Sequence, residues 1–277
     1  MTSQIKKTIK TSNVSEGAGV TVYRSIGTTQ QRNFDPFLML DFFSSSDPND
    51  YKAGFPDHPH RGFITLTYML EGNILHQDSM GNKGTLTSGG AQWMKAGSGV
   101  IHSEMPQQEE GKMRGFQLWI NLPREQKMTP PAYQEFEQSS FPIVEKNGTK
   151  VKILVGNYQG KVGPINDQYT NVSYFDVTLE EDKIFEISTS EDENTFIFVF
   201  EGEVENDNKK VVAQHLATFE KGKRIKLKSG LNGSRFIFAS GKPLNEPIVQ
   251  YGPFVMNTLE EAHQAVNDYK AGDLVKK

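Results

Sequence analysis

Short apolar or alternating runs, each ended by a turn signal, follow one another along most of the chain. "FITLTYMLEG" (63–72) is rich in β-branched and aromatic residues and stops at Glu71-Gly72. "NILHQDSMGNKGTLTSGG" (73–90) sets a Gly-Asn-Lys-Gly turn between two alternating segments, the pattern of a hairpin. "AQWMKAGSGVIHSEM" (91–105) and "RGFQLWINLP" (114–123) add further strands. Strands this regular, with turns this frequent, predict a β-barrel or sandwich. The 3.6-residue period shows well only at "NTLEEAHQAVNDYKAG" (257–272), where Leu259, Ala262, Val266 and Tyr269 recur on one face. Thr258 with Glu261 forms a capping box there, and Gly272 can close the helix. This helix is read as structural, packed on a barrel exterior.

The strand pattern occurs twice. "NTFIFVFEGEVENDNKKVVAQHLATFEKGKRIKLKSGLNGSRFIFASGKP" (194–243) has an apolar strand ending at Glu201-Gly202, a charged hairpin, a glycine-rich turn and another strand. Overlaying Glu71-Gly72 on Glu201-Gly202 aligns the halves, which predicts a duplicated domain. The proline-rich "TPPAYQEF" (129–136) is the natural connection, giving units of 1–135 and 136–277.

Composition narrows the chemistry. The 277 residues carry a net charge of −4 with scattered basic residues, which argues against direct nucleic-acid contact. There are no cysteines, so a metal would have to be held by His, Asp or Glu. The start lacks the apolar segment of a secretory signal, and no run is long and apolar enough to span a membrane. A cytoplasmic location is the resulting expectation.

Three of the six histidines fall into two i, i+2 patterns: His58 and His60 in "FPDHPHRGF", and His102 with Glu104 in "SGVIHSEMP". Residues two apart on a strand share a face. Pro59 disfavours the helical alternative for His58. A lone histidine is more often a core or surface residue than a ligand. Two such pairs on neighbouring strands can instead converge inside a small barrel, giving three imidazoles and a carboxylate for a divalent transition metal. Iron, nickel, manganese, copper and zinc all accept such donors. His76, on the hairpin beside the candidate site, is a candidate for supporting the ligands; His215 and His263 lack partners at ligand spacing. In the second half the positions matching His58 and His60 are Ser188 and Ser190, and the one matching His102 falls near Asn232. A single metal site in the first half is predicted.

"HPHRGFITLTYMLEG", "QWMKAGSGVIHSEMP" and "YGPFVMNT" closely resemble the pirin family of bicupin proteins, and the resemblance runs from "RSIGTTQQRNFDPFLMLDFF" (24–43) through the last helix. It implies an all-β fold of two cupin-type (jelly-roll) β-barrels with a C-terminal α-helix. The barrel of 1–135 would hold one metal, usually iron as Fe(II), and that of 136–277 would lack ligands. The family's ligands fall on His58, His60, His102 and Glu104. Many pirins carry a glutamate, not a ligand, where this chain has Ile64, so the surroundings of the metal differ here while the metal is kept.

The resemblance further implies quercetin 2,3-dioxygenase activity, the oxidative opening of a flavonol with O2 and loss of carbon monoxide. Glu104 is the candidate proton acceptor for the substrate hydroxyl. Phe55, Phe63, Trp93, Met94 and Phe116 are candidate pocket walls, with core packing the equal alternative for each. The family implies a second class as the alternative, a metal-dependent, redox-sensing regulatory protein that binds a transcription factor or a metabolic enzyme. A third class is a cupin isomerase or sugar-binding protein. Oxygen consumption separates the first from the other two.

Overall fold

A computed structural model describes residues 2–275. It is built from strands, with one α-helix, Leu259–Ala271, among the described residues. Among the described residues, no helix is long and apolar enough to cross a membrane.

The chain forms two compact units, each drawn from three stretches. One comprises Asn13–Gly27, Phe37–Gln138 and the residues from Leu244 onward; the other comprises the residues up to Ser12, Thr28–Pro36 and Ser139–Pro243. A single cut at 135 therefore does not reproduce them. The end strand Ile5–Lys10 pairs with His215–Phe219, and Ile5 sits in that unit's core with Phe175, Phe185 and Phe238. The C-terminal helix belongs to the other unit, where Ala265 packs with Phe254 and Leu274.

In the unit that contains His58, a seven-stranded sheet runs in the order Ala132–Phe136, Ala91–Lys95, Phe63–Glu71, Met113–Asn121, Phe37–Ser45, Val20–Ile26 and Ser12–Glu16. A four-stranded sheet orders Phe55–His60, Val100–Pro106, Ile74–Asp78 and Lys83–Leu86. The strand Phe63–Glu71 is buried on both faces up to its last residue, which explains why it reads as a continuous apolar run rather than an alternation. Ala132–Phe136, expected to be part of a connection, is an edge strand paired with Ala91–Lys95. The proline-rich stretch before it had hidden its β character.

The second unit repeats the plan around the long strands Asn194–Asn206 and Arg224–Gly241, which bend at bulges between Val199 and Glu201 and between Gly202 and Val204. Strand register corrects one expected equivalence. Ser188 faces Arg224 as His58 faces His102, so Arg224, not Asn232, is the counterpart of His102. The intervening hairpin is shorter in the second unit, and counting from a single anchor overshoots.

The helix is capped as predicted. Thr258 and Glu261 make the reciprocal bonds of the capping box, and Gly272 takes the left-handed conformation at φ 80°. Its buried face is rotated from the expected stripe. Ala262 and Ala265 are buried, whereas Leu259 and Tyr269 are largely exposed. Two small residues let the helix approach closely, and larger ones on that face would hold it off.

Candidate metal centre

Period-2 geometry builds the site. Antiparallel pairing sets His102 directly opposite His58 and Val100 opposite His60, so the three imidazoles share one face. Their ring centroids lie 4.3 to 4.9 Å apart. One donor nitrogen from each of His58, His60 and His102 lies within 4.8 Å of the others, spacing that suits a shared metal ion.

The protonation chemistry fits the same use. Burial, and then the neighbouring imidazoles, hold His60 and His102 well below the ordinary histidine pKa, which keeps their nitrogen lone pairs available. Nδ1 of His60 and both ring nitrogens of His102 are buried without a hydrogen-bond partner. Buried polar atoms are nearly always paired, so three orphans side by side point to a ligand that satisfies them. His58 Nδ1 lies 2.8 Å from the Pro56 carbonyl, and the Nδ1–H that donates to it leaves the Nε2 lone pair free. The residues present therefore offer the donor set of a divalent transition metal.

Glu104 lies on the same strand as His102, two residues on, and is 2 % exposed. It stands outside the close histidine group. Its Oε1 accepts from Gln92 Nε2 at 2.7 Å and from the Thr67 hydroxyl at 3.0 Å, and its Oε2 accepts from Gln117 Nε2 at 2.9 Å. Both His58 and His60, together with Glu104, Thr67 and Gln117, line one cavity of about 620 Å³. That volume lies within the range of small-molecule sites.

The cavity's remaining lining alternates along the strands: Val22 and Arg24; Met39, Asp41 and Phe43; Gln117 and Trp119. Arg24 forks onto Asp41 through Nε and Nη2 at 2.7 and 2.6 Å, and Nη2 also meets Glu16 at 2.7 Å. Of the expected apolar walls, Phe55 lines the cavity, whereas Phe63, Trp93, Met94 and Phe116 are buried in the surrounding core. The error is one of phase: Phe116 adjoins Gln117, and Trp93 adjoins Gln92, and the polar neighbour is the one that faces inward. Phe63 stands behind the site, with its ring centroid 5.0 Å from His60 and 4.2 Å from Trp119. Ile64 is fully buried and lies outside the cavity. The inward glutamines, Thr67 and the Arg24–Asp41 pair carry no sequence signal, because hydrophobicity alone does not tell which face of a strand lines the pocket.

His76 is buried beside the group. Its ring centroid lies 5.4 Å from that of His102, and its Nε2 is 3.1 Å from Asp78 Oδ2. Asp78 is held in turn by the backbone N–H groups of Met80 and Asn82.

Fold and site together define a two-cupin protein with a candidate metal pocket in one barrel. The sequence profile described as Pirin matches residues 19–120, and that of the Pirin C-terminal cupin domain matches residues 174–275. A pirin-like protein of Caulobacter vibrioides is 43% identical over 270 residues, which cover 97% of this chain and 98% of that one. The chain belongs to the pirin family. Its fold superposes with a TM-score of 0.92 on a quercetin 2,3-dioxygenase from Acinetobacter baumannii, at 31% identity and 99% coverage of both chains. A bacterial pirin from Escherichia coli, solved in complex with nickel(II), shares the fold at a TM-score of 0.68 and 19% identity, over 86% of this chain and 98% of that one.

Proposed function

We propose that this chain is a metal-dependent dioxygenase of the quercetin 2,3-dioxygenase type, opening a flavonol's heterocycle with O2 and releasing carbon monoxide. The observation that carries the proposal is the grouping of His58, His60 and His102, with His58, His60 and the buried Glu104 lining a cavity sized for a small aromatic molecule. The likeness to the Acinetobacter baumannii enzyme supports it.

In this reading His58, His60, His102 and Glu104 hold the metal, iron(II) by family resemblance. When bound, it supplies Lewis acidity toward a substrate hydroxyl and redox chemistry toward O2. Glu104 accepts the proton of that hydroxyl at a carboxylate oxygen. Thr67, Gln92 and Gln117 fix where that carboxylate stands, since three donors converge on its two oxygens. Trp119, Met39, Val22 and Phe55 give the flat ring system an apolar wall and exclude water from it. The polar end made by Arg24, Asp41 and Glu16 offers hydrogen bonds to peripheral hydroxyls.

The test is O2 consumption with carbon monoxide release when quercetin is added to iron-loaded protein, beside a His102→Ala variant whose metal content is measured. Turnover in the wild type, lost with the metal in the variant, is expected. Tight metal binding without O2 uptake would sink the dioxygenase reading and turn the search to protein partners.

A further inference from the structure

Tyr133 lies on the edge strand Ala132–Phe136, just after the two prolines. Its phenol oxygen is 3.0 Å from Gln92 Oε1 and 2.6 Å from Glu135 Oε2. Its ring stacks on His76, with centroids 4.5 Å apart and planes 20° apart. Gln92 in turn donates from Nε2 to Glu104 Oε1 at 2.7 Å, and His76 lies beside His102. Tyr133 thus contacts both side chains that back onto the candidate ligands on this side of the pocket.

A carboxamide has two ends of opposite polarity, and which end faces Glu104 decides whether Gln92 holds that carboxylate or repels it. Gln92 is 2 % exposed, so water does not make the choice. The phenol does: by donating to Oε1 it keeps the NH2 end toward Glu104. Burial and the hydrogen bond to Glu135 push the Tyr133 phenol well above its ordinary pKa, so the phenol keeps its proton. The phenol has one proton and two acceptors, and the exposed Glu135 competes with Gln92 for it. With the hydroxyl removed, the amide either turns its carbonyl toward Glu104 or leaves a buried acceptor unpaired.

We propose that Tyr133 is a positioning residue for the metal pocket: through Gln92 it fixes the orientation of Glu104, and through its ring it holds His76 against His102. This rests on the reading of Glu104 as ligand and proton acceptor.

Tyr133→Phe keeps the ring on His76 and removes the hydroxyl. Glu135→Gln removes the competing charge and keeps the hydroxyl. Cobalt(II) is titrated into metal-stripped full-length protein of each, the visible absorption is recorded, and quercetin turnover of the iron-loaded forms follows. Tyr133→Phe is expected to bind cobalt within about threefold of the wild-type affinity, with altered visible bands, and to lose about tenfold in kcat at unchanged KM. Glu135→Gln is expected to keep the wild-type bands. Wild-type bands in Tyr133→Phe would overturn the inference, as would Glu135→Gln reproducing the Tyr133→Phe spectrum. Altered bands in Tyr133→Phe, in a protein whose wild type never consumes quercetin, would support the positioning role and count only against the dioxygenase reading.

Discussion

Glu104 shows how far a single side chain can be read. Its spacing from His102 is plain in "HSEMP", but the donors that hold it come from three other strands, through Thr67, Gln92 and Gln117. None of them is marked in the sequence, because threonine and glutamine inside an apolar run look like exposed interruptions until strand register is known. A hydrogen bond to a charged group contributes about 1.5–3 kcal/mol. Thr67→Val is nearly isosteric and removes one such donor, so we expect metal content to hold while kcat with quercetin falls roughly tenfold. Metal analysis beside steady-state kinetics checks it; equal loss of metal and activity would mean that Thr67 serves the fold of the pocket instead. The histidines were legible for the opposite reason. Imidazoles at i, i+2 announce a shared face whatever the register, and pairing then had only to bring His102 opposite His58.

At the scale of elements, the C-terminal segment does more than cover a barrel. Arg61, next to His60, is 1 % exposed and donates through Nε to the Ser98 carbonyl at 2.6 Å and through Nη1 to Asp268 on the helix at 2.6 Å. Gly62 follows at φ +89°, and a Cβ there would stand 2.0 Å from the Val255 carbonyl oxygen. Lys127 completes the junction, reaching the carbonyls of Gly62 and Val255 and Oδ1 of Asn121 at 2.7, 3.0 and 2.6 Å. The capping box made this helix readable, but its tether to the histidine strand was not, since Arg61 and Asp268 are far apart in the chain. Asp268→Ala leaves a buried guanidinium short of its counter-charge and is expected to cost about 3 kcal/mol. The cost is read as a lowered Tm together with weaker metal binding. An unchanged metal affinity would show that the helix stabilises the unit without positioning His60. Burial also lowers Lys127 to about 7. Its unfolded value is the higher one, so between about pH 7 and 10 the unfolded chain binds the extra proton and stability rises with pH. The Tm of the wild type should therefore gain on that of Lys127→Met as pH goes from 7 to 9. A difference independent of pH would contradict the lowered value.

For the whole molecule, sequence order and compact unit part company at the ends. Internal similarity made the duplication evident, although Glu71 ends its strand whereas Glu201-Gly202 sits at the bulged bend of the equivalent one, which continues to Asn206. It could not reveal that the first strand completes the unit of the later cupin, or that everything from Leu244 onward completes the unit of the earlier one. Pairing of chain ends is a long-range choice, made by which sheet edge is open and not by local pattern. A fragment of residues 1–135 should consequently fail as a metal protein although it contains His58, His60, His102 and Glu104. It lacks Val255, whose carbonyl meets Lys127, and Asp268, which meets Arg61, so the buried Lys127 amine loses an acceptor and the buried guanidinium loses its counter-charge. It also lacks Phe254, Ala265 and Leu274, and so uncovers Ile101, the residue before His102, which packs against their cluster. We expect the fragment to be poorly soluble and to bind cobalt(II) at least a hundredfold more weakly than the full chain. Adding residues 244–277 as a separate chain should recover part of that affinity, because the missing contacts are hydrogen bonds, an ion pair and apolar packing that need no covalent link. Wild-type cobalt affinity in the lone fragment would mean that the histidine strands are positioned by their own sheet, and that the C-terminal segment is a cover.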